Sequence, residues 1–493
     1  MDDTPPTAGT TAENATAPGS AGTPVTALGQ LNRAHVLFLN WRDPSHPQAG
    51  GAEAYCYEIA RRFARAGAHV TLFAARHPGS PPETVTDGVR IVRAGGTFGV
   101  YAAAARHLTR HRHAYDAVID FQNGIPFFSP LFTPRWTADI CVIHHVHQHQ
   151  FDIRFPWPAN VLGRVLEKQL SRRVYRGRPL VVVSPSTREG ARRELGFDNP
   201  IYIVPNGGPP PAGTHTSRSR TPAITVVSRL VPQKRVDLLV RALPELTRRF
   251  PDLHVDICGD GEELAPLRTL ADRTGTSGCV DFHGRVTDER RQELLSRAWL
   301  TVVPSVAEGW GLTVIEANGV GTPAVAYDVP GLRDAVQHGR NGWLLPAESD
   351  LAQGVAGALE DLREPTARER TAERCRAWSA AFSWDRSAER LAAVAAEEMR
   401  RVDRHRRSRR RPSDLAVAAR FRTSDADAME HALGSHLRQT DSWSRHGDTF
   451  RLLLHGCDEV RAARVLRRLG VDRTPLTLAH RQEILTGQGE GPG

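Results

Sequence analysis

The strongest constraint on the fold is an alternation, made twice, of short apolar runs with amphipathic segments of helical period. His35-Val-Leu-Phe-Leu-Asn40 reads as a first strand, and after a Gly/Pro-rich loop residues 52–66 place Tyr55, Ile59 and Phe63 on one helical face. Further strands are expected at 70–74, 117–120, 140–144, 181–183 and 202–204. The series stops at Pro205-Asn-Gly-Gly-Pro-Pro-Pro211 and a polar stretch to Arg220, the composition of a domain boundary. A second series follows at 224–227, 254–258, 280–283, 300–303 and 324–326, each run trailed by a helical segment. Strands that alternate with helices call for a parallel sheet covered on both faces. The fold class is therefore α/β: two doubly wound Rossmann-like domains whose ligand-binding strand ends face a cleft, plus a small α+β C-terminal module.

This divides the chain as follows. Residues 1–32, rich in Thr, Ala, Pro and Gly, are expected to be disordered. Residues 33–207 form the first domain and 221–383 the second, and a helix over 384–399 returns to the first. An Arg-rich linker, 400–412, leads to a module at 413–493 read as strand 415–421, helix 426–437, strand 450–454 and helix 458–469. Eight arginines between Arg400 and Arg411 carry much of the net charge of +9. Such a block can attract nucleic acid or anionic lipid, but a solvated linker is its commoner role, so nucleic acid is not the expected partner. Six scattered cysteines without CxxC spacing argue against a zinc site or a disulfide framework. No run approaches the roughly 18 apolar residues that span a bilayer. The first residues lack the basic and apolar pattern of a secretory signal, so a cytoplasmic location is expected, with peripheral membrane contact as an option.

Chemistry concentrates at the ends of the second series of strands. Glu308-Gly-Trp-Gly-Leu-Thr-Val-Ile-Glu316 places two carboxylates around a Gly-X-Gly turn that opens a helix, a separation on the order of 10 Å. Glycine lets backbone N–H groups approach an anion, and the helix N-terminus adds partial positive charge. An isolated pair at this spacing is usually solvated surface; its neighbours change the reading. Arg229 and Lys234 flank a strand end and helix start, where two cations can join that N-terminus around one diphosphate. Cys258-Gly-Asp-Gly-Glu262 and His283-Gly-Arg-Val286 also fall at strand ends, followed by Pro304-Ser305, Gly321-Thr-Pro-Ala-Val325, Pro330-Gly331-Leu and Asn341-Gly-Trp-Leu-Leu-Pro346.

In order and spacing these motifs resemble the family 4 retaining glycosyltransferases of GT-B fold, over roughly residues 34–400. The resemblance implies an enzyme that moves a hexosyl group from a nucleotide diphosphate sugar to an acceptor hydroxyl. It implies that Arg229 and Lys234 bind the diphosphate, Glu316 the ribose hydroxyls, and Glu308 the transferred sugar near its anomeric centre. The amides of Gly309, Trp310, Gly311 and Leu312 would hold phosphate or sugar oxygens, and Gly284, Arg285 and Val286 would line the base pocket. Gly50-Gly51-Ala-Glu53 resembles the family's glycine-rich loop, and Trp384 its segment crossing back to the first domain. The phosphate motif departs at Arg235, where the family usually carries glycine.

Val142-Ile-His144-His145-Val-His147-Gln-His149 supplies four histidines in six residues. Positions 145, 147 and 149 would share one face of a continuing strand, a pattern that first suggests metal. The family's Val-X-His pattern instead implies one functional histidine near the sugar. His147 fits it best, with His144 and His145 as alternatives. No metal and no cofactor are expected: the diphosphate charge would be met by protein, and the transfer would be front-face, the leaving phosphate helping to take the acceptor proton. The rival readings are a GT-B sugar-nucleotide epimerase or phosphorylase, and a non-catalytic protein that binds nucleotide sugar or nucleic acid. The acceptor, whether glycan, lipid or small molecule, stays open. Trp41, Trp136, Phe151, Phe155 and Trp157 are candidates to stack on it, though aromatics near a cleft more often pack. Residues 159–174 form a basic amphipathic stretch able to touch a membrane surface, with packing on its own domain as the expected role.

Overall fold

A computed structural model of the protein describes residues 26–148, 151, 155–208, 217–407, 415–438, 441–472 and 474–480. The first sheet contains β1 (His35–Leu39), β2 (His69–Ala74), β3 (Glu83–Thr86), β4 (Val89–Arg93), β5 (Ala117–Gln122), β6 (Ala138–Ile143), β7 (Leu180–Val182) and β8 (Ile201–Ile203). Its order is β3-β4-β2-β1-β5-β6-β7-β8, parallel except for the edge strand β3. The second sheet contains β9 (Ala223–Val227), β10 (His254–Cys258), β11 (Val280–Gly284), β12 (Leu300–Val303), β13 (Ala324–Tyr327) and β14 (Gly342–Leu345), all parallel, in the order β11-β10-β9-β12-β13-β14. Strands β1, β5, β6 and β12 are buried almost throughout because helices cover both faces, which is why they read as unbroken apolar runs.

In each sheet the direction of winding reverses beside the first strand, between β1 and β5 and between β9 and β12. Ligands of doubly wound folds bind at such reversals, outside the carboxyl ends of the strands. The loops that leave β1, β9 and β12 there are the ones that carry Gly50, Arg229, Lys234 and Glu308.

Several sequence expectations change, and strands β3, β4 and β14 are additions to those expected. Residues 26–32 are ordered: Ala27 and Leu31 are buried, and Glu389 accepts the backbone N–H groups of Ala27 and Leu28. The return helix runs over Trp384–Arg407, so the first half of the expected Arg-rich linker is helix. Its cause is local: Val402 is buried, and Arg400 and Arg401 pair with Glu397 and Glu398 one turn earlier. The rest of the linker, residues 408–412, lies outside the described residues, as do residues 1–25 and His149. The helix docks on Gly51–Arg65, with Trp384 edge-on to Tyr55 at 6.1 Å and Ser387 Oγ donating to the Pro205 carbonyl at 2.6 Å.

The third unit has four strands rather than two: β15 (Leu415–Arg422), β16 (Ser442–His446), β17 (Thr449–His455) and β18 (Leu476–His480), antiparallel in the order β16-β17-β15-β18. With helices Ala426–His436 and Glu459–Arg468 this is a β-α-β-β-α-β unit with a split β-α-β core. It closes onto the first domain through Asp458, whose carboxylate is fully buried. Oδ1 caps the Glu459–Arg468 helix at the Arg461 N–H, while Oδ2 accepts from Arg192 at 2.9 Å and from the Ile201 N–H of edge strand β8 at 3.2 Å. One apolar core runs from β1 and β5 through the return helix to Val417, Phe450 and Leu454.

Candidate functional site

The turn Pro232–Lys234 follows β9 and is fastened to the segment after β12 by the Val306 N–H, which donates to the Gln233 carbonyl at 3.1 Å. Lys234 and Glu308 thereby meet as an ion pair, their side chains each 19 % exposed, and Ser305 Oγ donates to the same Glu308 oxygen at 2.8 Å. Arg235, the departure from the family motif, adopts φ 49° and ψ 37°. That is the left-handed region glycine takes without strain, so the turn keeps its shape and an arginine bears the cost. Arg229 is exposed and has no carboxylate partner among the described residues. Its loop is held by Ser228 and Leu230 N–H groups donating to the Cys258 and Asp260 carbonyls, each at 3.0 Å, which explains the nearby Cys258-Gly-Asp-Gly turn.

The first domain supplies the opposite wall. Gly50 caps the Gly51–Arg65 helix, and Glu53 secures it by accepting the Gly50 N–H at 2.8 Å. A methyl group on Gly50 would lie 3.7 Å from Arg229 Nε, and one on Gly51 would lie 3.6 Å from Leu312. The glycine-rich loop thus faces both the free cation and the start of the Leu312–Gly319 helix. Gly311 precedes that helix at φ 89°. Gly309 passes so close to the first domain that a Cβ there would come within 2.4 Å of the His144 carbonyl. Thr187 Oγ1 donates to the Gly309 carbonyl at 3.2 Å, and the Ser186 N–H donates to Asp334 at 2.9 Å. The Glu308–Leu312 loop is clamped between the domains.

His144, His145 and His147 occupy different surroundings. His144 is buried edge-on to Tyr55 at 4.8 Å, and burial holds its pKa at about 3. His145, also held at about 3 by burial and then by His147 and Lys234, points its ring at the Glu308 backbone carbonyl. Both rings are therefore neutral near pH 7. The expected residue, His147, sits one ring further out, 5.3 Å from His145, and packs toward Phe151. Its backbone N–H donates to buried Glu167 at 2.7 Å. His145 is the histidine whose ring faces the donor-side loop, beside the His144 backbone carbonyl that abuts Gly309. Sequence pattern did not single it out: alternation selects 145, 147 and 149 alike and lapses once β6 ends at Ile143, and the Val-X-His resemblance points to His147.

Glu316 lies in the second turn of its helix, its carboxyl pKa raised by burial and partly offset by Arg291, whose Nη2 is 3.5 Å away. Trp310 is buried against Phe382 with ring centroids 4.9 Å apart, so its backbone faces the loop while its side chain serves the core. Gly284 ends β11, and Arg285 crosses the cleft to donate to the Pro47 carbonyl; Val286 follows, half-buried. Among the described residues the one cluster with ligand atoms close enough to share a cation is His254, Asp256 and Asp281, toward the opposite ends of β10 and β11.

Comparison with known proteins places these two walls in context. Residues 49–209 match the model described as Glycosyltransferase Family 4, and residues 214–378 that described as Glycosyl transferases group 1. A D-inositol 3-phosphate glycosyltransferase of Xylanimonas cellulosilytica is 30 % identical over 435 residues, covering 78 % of this chain and 99 % of its own. Among solved structures, sucrose-phosphate synthase from Thermosynechococcus elongatus superposes with a TM-score of 0.62 at 20 % identity, over 76 % of this chain and 100 % of its own. Anabaena HepE in complex with UDP and glucose superposes with a TM-score of 0.56 at 17 % identity, over 73 % and 98 %.

Proposed function

The chain belongs to the family 4 glycosyltransferases of GT-B fold, and from that premise we propose that it transfers a hexosyl group from a nucleoside diphosphate sugar to an acceptor hydroxyl with retention of anomeric configuration. The observation that carries this reading is the joint placement of Arg229, the Lys234–Glu308 pair and the Leu312–Gly319 helix start against the Gly50-Gly51 loop. A diphosphate between these walls meets two cations and the free N–H groups of a helix, which stabilise the charge that grows as the sugar departs. With that charge answered by protein, the transfer proceeds without a metal ion.

Glu308 is the acid nearest the transferred sugar. Lys234 shifts from it to the incoming phosphate, leaving the carboxylate to orient sugar hydroxyls. His145, neutral and aimed at the same loop, holds the acceptor-side face of the sugar, with His147 behind it. Glu316 takes the ribose hydroxyls, and residues 284–286 the base. Retention follows from front-face attack in which the leaving phosphate accepts the acceptor proton.

The test is incubation with a panel of nucleoside diphosphate sugars. It begins with UDP-glucose, because UDP and glucose are the ligands in the HepE complex, and with D-inositol 3-phosphate as first acceptor, because the relative's name carries it. The anomeric configuration of the product is read by NMR. Retained configuration and unchanged rate in EDTA are expected. An inverted product, dependence on a divalent cation, or a changed nucleotide sugar formed without acceptor would overturn the reading.

A further inference from the structure

The helical segment 159–174 is one continuous run, with Ala159–Val165, a π-helical stretch Leu166–Leu170 and Ser171–Val174. Its inner face is accounted for. Gly163 abuts Phe151, and buried Glu167 accepts the His147 backbone N–H and a Gln148 side-chain hydrogen bond at 2.6 Å. The segment packs on its own domain as expected, through Gly163, Glu167 and Ser171 with Leu166, Leu170 and Val174 half-buried, yet Val161, Leu162 and Val165 point outward. Trp157 is 80 % exposed and Leu162 59 %, and Phe155, Val161 and Val165 stand exposed beside them. Along the same outer face the helix then presents Lys168, Arg172, Arg173 and Arg176, all exposed. The only acid between residues 155 and 176 is Glu167, turned inward.

We propose that the outer face of residues 155–176 docks on an anionic lipid bilayer, with Trp157, Val161, Leu162 and Val165 entering the interface and Lys168, Arg172, Arg173 and Arg176 resting on the headgroups. An exposed tryptophan beside aliphatic side chains suits the boundary between headgroups and acyl chains, and a row of cations with no acid among them suits a negatively charged surface. A second copy of the chain is a poor occupant, since a symmetric contact would bring two cationic rows together. Because the inner face of the same helix holds His147 through Glu167, docking sets the acceptor-side wall of the cleft close to the membrane surface. Binding itself does not depend on the reaction catalysed.

The test is sedimentation of the full chain with vesicles of phosphatidylcholine alone and of phosphatidylcholine mixed with phosphatidylglycerol. Binding is expected only to the mixed vesicles. It should fall about a hundredfold in a Lys168→Gln/Arg172→Gln/Arg173→Gln variant, each cation contributing about fivefold near an anionic surface. Leu162→Ser should weaken binding at unchanged charge, and Trp157→Phe should remove a quenching signal from vesicles with brominated acyl chains. All these side chains are exposed, so unchanged thermal unfolding confirms that the variants are folded. Equal binding to both vesicle types, no sedimentation, or a concentration-dependent dimer abolished by Leu162→Ser would overturn the proposal.

Discussion

Replacing Lys234 by Met separates the two things the lysine does. In the ligand-free protein it neutralises Glu308, and in the donor complex it is proposed to bind phosphate instead. A charge-assisted hydrogen bond to phosphate contributes about 1.5–3 kcal/mol, so its loss alone should weaken nucleoside diphosphate binding by about 10- to 150-fold. The variant also leaves Glu308 facing the diphosphate without its cation. At an effective dielectric near 20 and a separation of about 6 Å, that repulsion is about 3 kcal/mol, and solvent at a partly exposed site reduces it to about 1 kcal/mol. A Lys234→Met/Glu308→Gln double variant should therefore regain about fivefold in affinity over Lys234→Met. Glu308→Gln alone should leave affinity unchanged or slightly improved while lowering turnover. Titration calorimetry with the nucleoside diphosphate that most stabilises the wild type measures all four corners of the cycle. If Glu308→Gln weakens binding as much as Lys234→Met and the two effects simply add, the pair does not stand at the phosphate and the site has been assembled wrongly.

Gly309→Ala forces a methyl group into the 2.4 Å gap to the His144 carbonyl, so it should abolish transfer while circular dichroism stays native. Arg235→Gly removes a strained φ of 49° at a cost of about 1–2 kcal/mol to the native arginine, offset by about 0.5–1 kcal/mol of unfolded-state entropy; denaturant titration should show equal or slightly higher stability. His144 and His145 have pKa values near 3 in the folded chain against 6.5 for a free ring, so the unfolded state binds protons first. Their stabilisation is complete above pH 6.5 and is lost as pH falls toward 3, about 2 kcal/mol per ring at pH 5. Comparing wild type with His145→Gln at pH 5 and pH 7.5 isolates this share, because Asp139, raised to about 7 by burial and stabilising as it gains a proton, titrates alike in both proteins. A difference that does not change with pH would contradict the half-buried, neutral placement of His145.

Legibility in the sequence followed exposure. Strand β12 matches its expected run residue for residue, because a strand covered on both faces needs a near-continuous apolar string. Strand β16, Ser-Trp-Ser-Arg-His, is an edge strand exposed along most of its length and carries no such string, so only its pairing with β17 through the Gly447-Asp448 turn defines it. Strand β3 escaped for the same reason. In the site, Lys234 and Glu308 were legible as motif members at fixed offsets from their strands. The choice among His144, His145 and His147 and the interdomain role of Gly309 were not, since they depend on how one domain rests on the other. The helical segment at 159–174 was legible as basic and amphipathic, yet the pattern could not tell which face looked outward. Small residues at Gly163 and Ser171 and the inward Glu167 decided it.

The buried Asp458 bears on how the third module can be studied. Removing residues 413–493 would strip the Ile201 N–H and the Arg192 guanidinium of their shared acceptor and lay open the terminal strand of an eight-stranded sheet. An unprotected strand of this kind recruits other chains. A shortened protein that precipitates, or that gains partners, would then be reporting the raw seam and not a task performed by the missing module. Point changes on the outward-facing side chains of that module, with Asp458 kept, are the perturbations whose results can be assigned to it.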